Sequence, residues 1–224
     1  MANRGLLITF EGTDGSGKST QIGILVEKLR SEGYTVLENR EPGGTPIGQQ
    51  VRRILLDPNN HDIAPMTELL LMFASRAQAA AERILPALAR GEIVVSDRFT
   101  DSSLAYQGEG RGLGFDLVLA VHRLAMGELY PDLTICMDID LETSLARAHG
   151  RNRQAGAQSD VSEARLDEQS FEFHSRVRDA YQRIARYEPQ RFRLIDGRDD
   201  IGTVSQRIWA EVSPKLPKLT SAGV

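Results

Sequence analysis

The stretch Gly12-Thr13-Asp14-Gly15-Ser16-Gly17-Lys18-Ser19 restricts this chain to very few folds. It spells Gly, four residues, then Gly-Lys-Ser, and each position has a physical task. The glycines let backbone N–H groups curl around an anion without side-chain clashes. Lys18 brings a positive charge to outer phosphates, and the Ser19 hydroxyl is a ligand of the kind Mg²⁺ takes. Before the loop, Leu6-Leu7-Ile8-Thr9-Phe10 is a short apolar run that predicts a buried strand. After it, Ile22, Leu25, Val26 and Leu29 recur at helical spacing. A helix opening at the loop turns its free N–H groups and its dipole toward bound phosphate. Strand, loop and helix in that order argue against a glycine-rich turn that matches by chance. The pattern predicts nucleotide binding and leaves the reaction open.

Strand and helix signals alternate along the whole chain, which predicts a parallel sheet with helices on both faces. Tyr34 to Leu37, Ile93 to Ser96, Leu133 to Met137 and Phe192 to Ile195 join the first run as strands, five in all. Ile47, Val51, Ile54 and Leu55 mark a helix, and Met66 to Ala89 a long one with a kink expected near Pro86. Ser102 to Gln107 reads as helical, and Gly108, Gly110, Gly112 and Gly114 as a break. Leu117, Val121 and Leu124 mark another helix, and Ile201, Val204, Ile208 and Val212 the last. One domain is expected over residues 1–213, followed by a frayed tail, 214–224.

One segment breaks the pattern. Arg147 to Arg165 carries Arg147, Arg151, Arg153 and Arg165 among Gly150, Gly156 and few apolar residues. A solvated linker is the plain reading. In a phosphate-loop chain, a mobile basic lid closing over the nucleotide is the better one.

Composition excludes several classes of function. The net charge of −4 argues against a surface that coats nucleic acid, so an acidic ligand must be met by a local basic cluster. Cys136 is the only cysteine and sits in an apolar run, which rules out an intramolecular disulfide and suits a reducing cytoplasm. No apolar run approaches membrane-spanning length. His61, His122, His149 and His174 lack metal-ligand spacing.

Asp97-Arg98 closes the third strand, and ligands of open parallel sheets lie beyond such ends. There an aspartate can hold Mg²⁺ opposite Ser19, and an arginine can grip a second phosphate through two N–H groups. A structural ion pair at the strand end is the alternative, weakened because Lys18, Arg40 and Glu41 converge on the same edge. Asp14 is an odd choice beside phosphates; a sugar hydroxyl, a metal-bound water or plain solvent are all open to it. Phe73 and Arg76 share a helical face, which suits a flat base but suits a core ring beside a surface arginine as well. Tyr106-Gln107 poses the same choice. In-line phosphoryl transfer asks mainly for positioning and positive charge, so no Ser-His-Asp set is required.

With those residues in place, the chain resembles the bacterial thymidylate kinases over about residues 5–213. The likeness rests on Arg40-Glu41-Pro42-Gly43-Gly44-Thr45, Phe73-Ala74-Ser75-Arg76-Ala77-Gln78, Asp97-Arg98-Phe99, Asp101 to Gly108 and Pro131-Asp132-Leu133-Thr134, in that order. The resemblance implies a P-loop NTPase fold, a single nucleoside-monophosphate kinase domain with a lid at about 147–165, and transfer of the ATP γ-phosphate to dTMP. It implies that Gly12, Thr13, Asp14, Gly15, Ser16, Gly17, Lys18, Ser19 and Thr20 hold ATP. It gives Asp14 the deoxyribose 3′-hydroxyl, and Arg98 and Arg52 the dTMP phosphate. Phe73 would stack on thymine, while Arg76, Ser103 and Gln107 bond its edge. Tyr106 would crowd the sugar 2′ position. Glu41 and Asp97 would organise Mg²⁺ and water, with Ser19 as a further metal ligand.

The family takes its transition-state arginine from the phosphate loop or from the lid. This loop holds none, so Arg151 and Arg153 are the expected sources, with Arg147 behind them. Arg165 to Phe171 resembles the helix that closes the lid, and Ile195-Asp196-Gly197 the loop under adenine. Some members place the aromatic four residues before the arginine, where this chain has Met72. The resemblance also implies a cytoplasmic homodimer with no nucleic-acid or membrane partner.

Overall fold

A computed structural model describes residues 4–155, 165–166 and 169–218, and of positions 148, 149 and 151–155 the backbone alone. Five strands form one all-parallel sheet in the order β2-β3-β1-β4-β5. They are β1 (Leu7–Gly12), β2 (Val36–Arg40), β3 (Ile93–Asp97), β4 (Leu133–Asp138) and β5 (Phe192–Asp196). Between them run α1 (Lys18–Ser31), α2 (Pro46–Leu56), α3 (Pro65–Ala79), α4 (Leu85–Ala89), α5 (Thr100–Ser103), α6 (Phe115–Met126), α7 (Leu141–Ala155), α8 (Phe171–Tyr187) and α9 (Ile201–Val212).

Alternation along the buried strands divides the core. Ile8, Phe10, Val95 and Ile135 pack against Leu25, Leu29, Val204 and Ile208 of α1 and α9. On the opposite face, Phe73, Val118, Val177 and Ile184 of α3, α6 and α8 enclose Cys136 and Phe192. Register then sets the site. Phe10 and Arg40 both stand opposite Asp97, and Asp138 opposite Asp196, so the carboxyl ends of all five strands share one edge.

Several expected boundaries move, each for a local reason. The second strand runs Val36–Arg40 rather than from Tyr34, extending to pair with Asp97. The long helix keeps Pro86 inside its α4 turn, Leu85–Ala89. It widens into a π turn over Ala80–Ile84, where Leu85 N–H bonds Ala80 O. Pro86 lacks an N–H and its ring crowds the carbonyl four residues back, so the strain is relieved upstream. Gly108 and Gly110 do not break the chain; they lie in a second π segment, Leu104–Gly110. A Cβ at Gly110 would stand 2.6 Å from the Phe173 ring, so glycine there serves close packing. The break falls at Gly112 and Gly114, both at positive φ.

The expected lid loop divides. Residues 147–155 continue α7, whose start is capped by the Asp140 carboxylate accepting from Thr143 N–H at 2.8 Å. Arginine is a good helix former, which the reading of a basic loop overlooked. Residues 156–164 lie outside the described residues. Arg165 is 4 % exposed, and its guanidinium donates to Leu55 O and Glu68 Oε2. Arg165 and Leu166 lie in a turn, and α8 starts only at Phe171, where Ser170 accepts from Phe173 N–H.

Candidate active site

At the strand-end edge lies a cavity of about 1010 Å³. Residues Asp14 to Thr20 line one side, with Gly197, Ile201 and Val204 near them. Arg52, Met72, Arg76, Ser103, Tyr106 and Gln107 line the other, and Glu41, Asp97 and Arg98 stand between.

The phosphate-loop side is shaped by backbone. Gly12 sits at φ 124°, where a Cβ would lie 2.4 Å from Met137 O; Gly15 and Gly17 are also at positive φ. Gly12 and Thr13 lie beneath the cavity rather than in its wall. Their carbonyls accept from Lys18 Nζ at 2.9 and 2.8 Å, which points the buried ammonium across the loop. Burial, then the nearby Arg98 charge, push the Lys18 pKa down. Gly17 caps α1 with no side-chain acceptor, so the first N–H groups of the helix stay free for an anion.

Arg98 adopts φ 72°, a left-handed conformation that costs about 1 kcal/mol for a side-chain-bearing residue. Hydrogen bonds hold it there. Its N–H donates to Phe10 O at 2.9 Å, Ser96 Oγ donates to its carbonyl at 2.8 Å, and the next N–H, of Phe99, donates to Glu11 Oε1 at 2.8 Å. The guanidinium then reaches Asp14 at 2.8 and 2.9 Å and the Tyr106 hydroxyl at 3.2 Å. Asp14 therefore pairs with the predicted phosphate-binding arginine, and Tyr106 donates to it at 3.2 Å.

The opposite wall is a buried polar lattice. Arg76, 1 % exposed, donates to Glu41 Oε2 at 2.5 Å, Ser103 Oγ at 3.1 Å and Phe99 O at 3.0 Å. Burial pushes the Glu41 pKa up, and the Arg76 charge opposes that rise. Arg52 donates to Pro42 O at 2.9 Å. Gln107 Nε2 donates to Glu68 at 2.9 Å.

One predicted contact changes. Phe73 is 2 % exposed and does not line the cavity; Met72 does. Glu68, Met72 and Arg76 recur every four residues and form one stripe of α3, and Phe73 lies about 100° around the helix from Met72. Its ring packs among Leu104, Tyr106 and Val118, with the Arg76 guanidinium 4.6 Å above it. Phe73 thus lies under the Arg76 guanidinium and outside the cavity lining.

Two acids went unmarked in the sequence. Glu68 is fully buried. Glu11, also fully buried, accepts from Phe99 N–H, the Ser102 hydroxyl and the Tyr181 hydroxyl. Burial, then the Asp101 charge, raise its pKa to about 7, against lowering contributions from Ser102 and Arg98. The four-residue spacing of Glu68 from Met72 and Arg76 was a usable signal; Glu11, inside a strand, had none.

A cation fits beside the loop. Asp97 and Ser19 both line the cavity, and Asp97 Oδ1 is buried without a hydrogen-bond partner among the described residues. Those residues contain no cluster of three or more His, Cys, Asp or Glu groups that could cage a metal. Two protein oxygens plus phosphates and water suit Mg²⁺. Arg147 lines the cavity from α7; the side chains of Arg151 and Arg153 lie outside the described residues.

A family profile described as thymidylate kinase matches residues 10–208. The chain belongs to the thymidylate kinase family. Membership makes it an ATP-dependent nucleoside-monophosphate kinase. The thymidylate kinase of Pelobacter propionicus is 49 % identical over 93 % of this chain and 94 % of its own. That of Geobacter sulfurreducens is 45 % identical over 96 % and 99 %. The crystal structure of thymidylate kinase from Ehrlichia chaffeensis, 33 % identical, superposes with a TM-score of 0.73 over 94 % of this chain and 99 % of that one. The family's P-loop sheet is the sheet found here. No described helix is long and apolar enough to cross a membrane.

Proposed function

We infer that this chain transfers the γ-phosphate of ATP to dTMP, giving dTDP and ADP, and that the cavity residues divide the work as follows. ATP lies along Gly12 to Thr20, with adenine toward Gly197 and Val204. An oxygen of the dTMP phosphate attacks the γ-phosphorus. The new O–P bond forms as the bond to the bridging oxygen breaks, and ADP leaves with that electron pair. Arg98, aided by Arg52, holds the acceptor phosphate, exchanging part of its pairing with Asp14. Asp14 then meets the sugar 3′-hydroxyl, and Tyr106 fills the space a 2′-hydroxyl needs. Lys18 stabilises charge on the transferring group. Arg147 and, further along α7, Arg151 and Arg153 are the lid arginines that neutralise the remaining charge.

Arg76, Ser103 and Gln107 read the base edge, and Met72 packs on its face in place of Phe73. Ser19 and Asp97 would hold Mg²⁺, with Glu41 behind through Arg76. When bound, the ion neutralises phosphate charge and orients the triphosphate. Juxtaposition of the phosphate loop with the buried Arg76–Gln107 wall in one cavity carries this reading.

We also propose a cytoplasmic homodimer. Leu70 of α3 and Leu124 of α6 are 52 % and 89 % exposed on two helices that pack together, and the single cysteine, Cys136, is a buried free thiol, as suits a reducing compartment. Light scattering at micromolar concentration tests the dimer. The test of the reaction is ADP release with Mg-ATP and dTMP, dUMP, UMP, dCMP, dGMP or AMP. A strong preference for dTMP is expected; preference for another acceptor would overturn the roles given to Arg76, Tyr106 and Gln107.

A further inference from the structure

Glu68 is the most heavily engaged buried carboxylate outside the phosphate site. Its Oε1 accepts from Gln107 Nε2 at 2.9 Å and Arg111 Nε at 3.2 Å. Its Oε2 accepts from Arg111 Nη2 at 3.0 Å and Arg165 Nη2 at 2.7 Å. Arg165 is pinned in turn by bonds from its Nε to Leu55 O and from its backbone N–H to Leu56 O. The carboxylate therefore cannot swing away from Gln107.

That clamp decides which way the amide faces. Burial works to raise the Glu68 pKa, but hydrogen bonds from Arg111 and Gln107, with the charges of Arg111 and Arg165, outweigh it and hold the pKa below the ordinary value. An ionised carboxylate accepts and never donates, so the Gln107 atom facing it must be the NH₂. The planar amide then turns Oε1, an acceptor, to its other side. Gln107 lines the cavity, and no donor among the described residues reaches that oxygen. Arg76 supplies the complement. Three of its five N–H groups go to Glu41, Ser103 and Phe99, which leaves two for a ligand.

We propose that Glu68 is a positioning residue for base selection: it locks Gln107 with its acceptor toward the ligand, so that an imide base is taken and cytosine refused. An imide offers an N3–H donor beside the O4 acceptor, matching Gln107 Oε1 and the spare Arg76 donors. Cytosine reverses both, with a bare N3 and an N4 donor, so each contact becomes repulsive. Glu68 acts without touching the nucleotide. The proposal rests on the reading of Gln107 as a base contact.

The experiment compares kcat/KM for dTMP and dCMP in the wild type, Glu68→Gln, Gln107→Leu and the swap Glu68→Gln/Gln107→Glu. A ratio of specificity constants does not depend on how much enzyme is folded. Disruption of Arg111 or Arg165 alone lowers both substrates together. In Glu68→Gln the amide at 107 can turn over, and the dTMP-to-dCMP ratio is expected to fall by about tenfold or more. In the swap, the new amide at position 68 donates to the new carboxylate at position 107, whose other oxygen faces the ligand as an acceptor. The ratio should recover there, which a merely structural Glu68 would not bring about. An unchanged ratio in Glu68→Gln overturns the proposal. If that single variant does not fold, the swap decides, because it keeps one carboxylate in the cluster: a swap without dTMP preference overturns the proposal. Gln107→Leu separates the two readings. Should it keep the wild-type ratio, base reading by Gln107 itself fails; if it collapses the ratio while Glu68→Gln does not, only the role of Glu68 fails.

Discussion

The wall proposed for the acceptor and the end proposed for adenine use the same chemistry, arginine on carboxylate, in opposite surroundings. On the acceptor wall, the Arg76–Glu41 side chains are each 2 % exposed, and those of Arg165 and Glu68 are 4 % and 0 %. At the adenine end, Arg198–Asp196 are 70 % and 41 % exposed, and Arg207–Asp199 are 44 % and 49 %. Exposed pairs are screened and contribute little, whereas a buried pair is costly to break because the survivor is left charged in a dry environment. The first wall is thus held by ion pairs that water does not reach. The adenine end is held by backbone and by loosely tethered charges.

Substitutions can break that contrast or sharpen it. The largest effect is expected from Arg98→Ala, which should lower kcat/KM for dTMP by about 100-fold or more while leaving ATP binding largely intact. An unchanged kcat/KM for dTMP would remove Arg98 from the acceptor site. Arg76→Met should come next. It strands Glu41 in the core, and urea denaturation should find a loss of about 3 kcal/mol, accompanied by weaker dTMP selection. A loss below about 1 kcal/mol would place this pair with the exposed ones.

Glu11→Gln should act through pH. The Glu11 pKa is about 7 in the folded chain against an ordinary 4.5, so the folded state binds the extra proton. Stability from this group is complete below about pH 4.5 and is lost as pH rises through 7. The variant should therefore gain on the wild type between pH 5 and 8, read from urea midpoints at each pH. A constant offset would mean that Glu11 does not titrate in that window. The smallest effect is expected from Arg198→Ala, with no measurable change in melting temperature or in dTMP kinetics. A clear drop in either would erase the distinction between the two ends.

Much of the site could be read from the chain because its parts are local. Gly12 to Thr20, Asp97-Arg98 and the Ser103-to-Gln107 stretch each lie on one short segment, and a parallel sheet brings strand ends together by construction. What escaped was set by rotation and by distance. Periodicity marked α3 as two-faced but could not say whether the stripe of Phe73 or that of Met72 meets the cavity. Packing of α3 between α2 and α6 decides this. Arg165 read as a lid charge because its partner stands 97 residues away.

The sequence alone determined the phosphate cradle, the parallel sheet and the edge where ligands gather, since glycine conformations, strand runs and helix periods are properties of neighbouring residues. Tertiary structure alone decided which side of α3 faces the cavity, which arginines turn inward, and which way Gln107 presents its amide. Those outcomes depend on burial and on charges far apart in the chain, and a buried carboxylate constrains its neighbours only once the fold has removed the water around it.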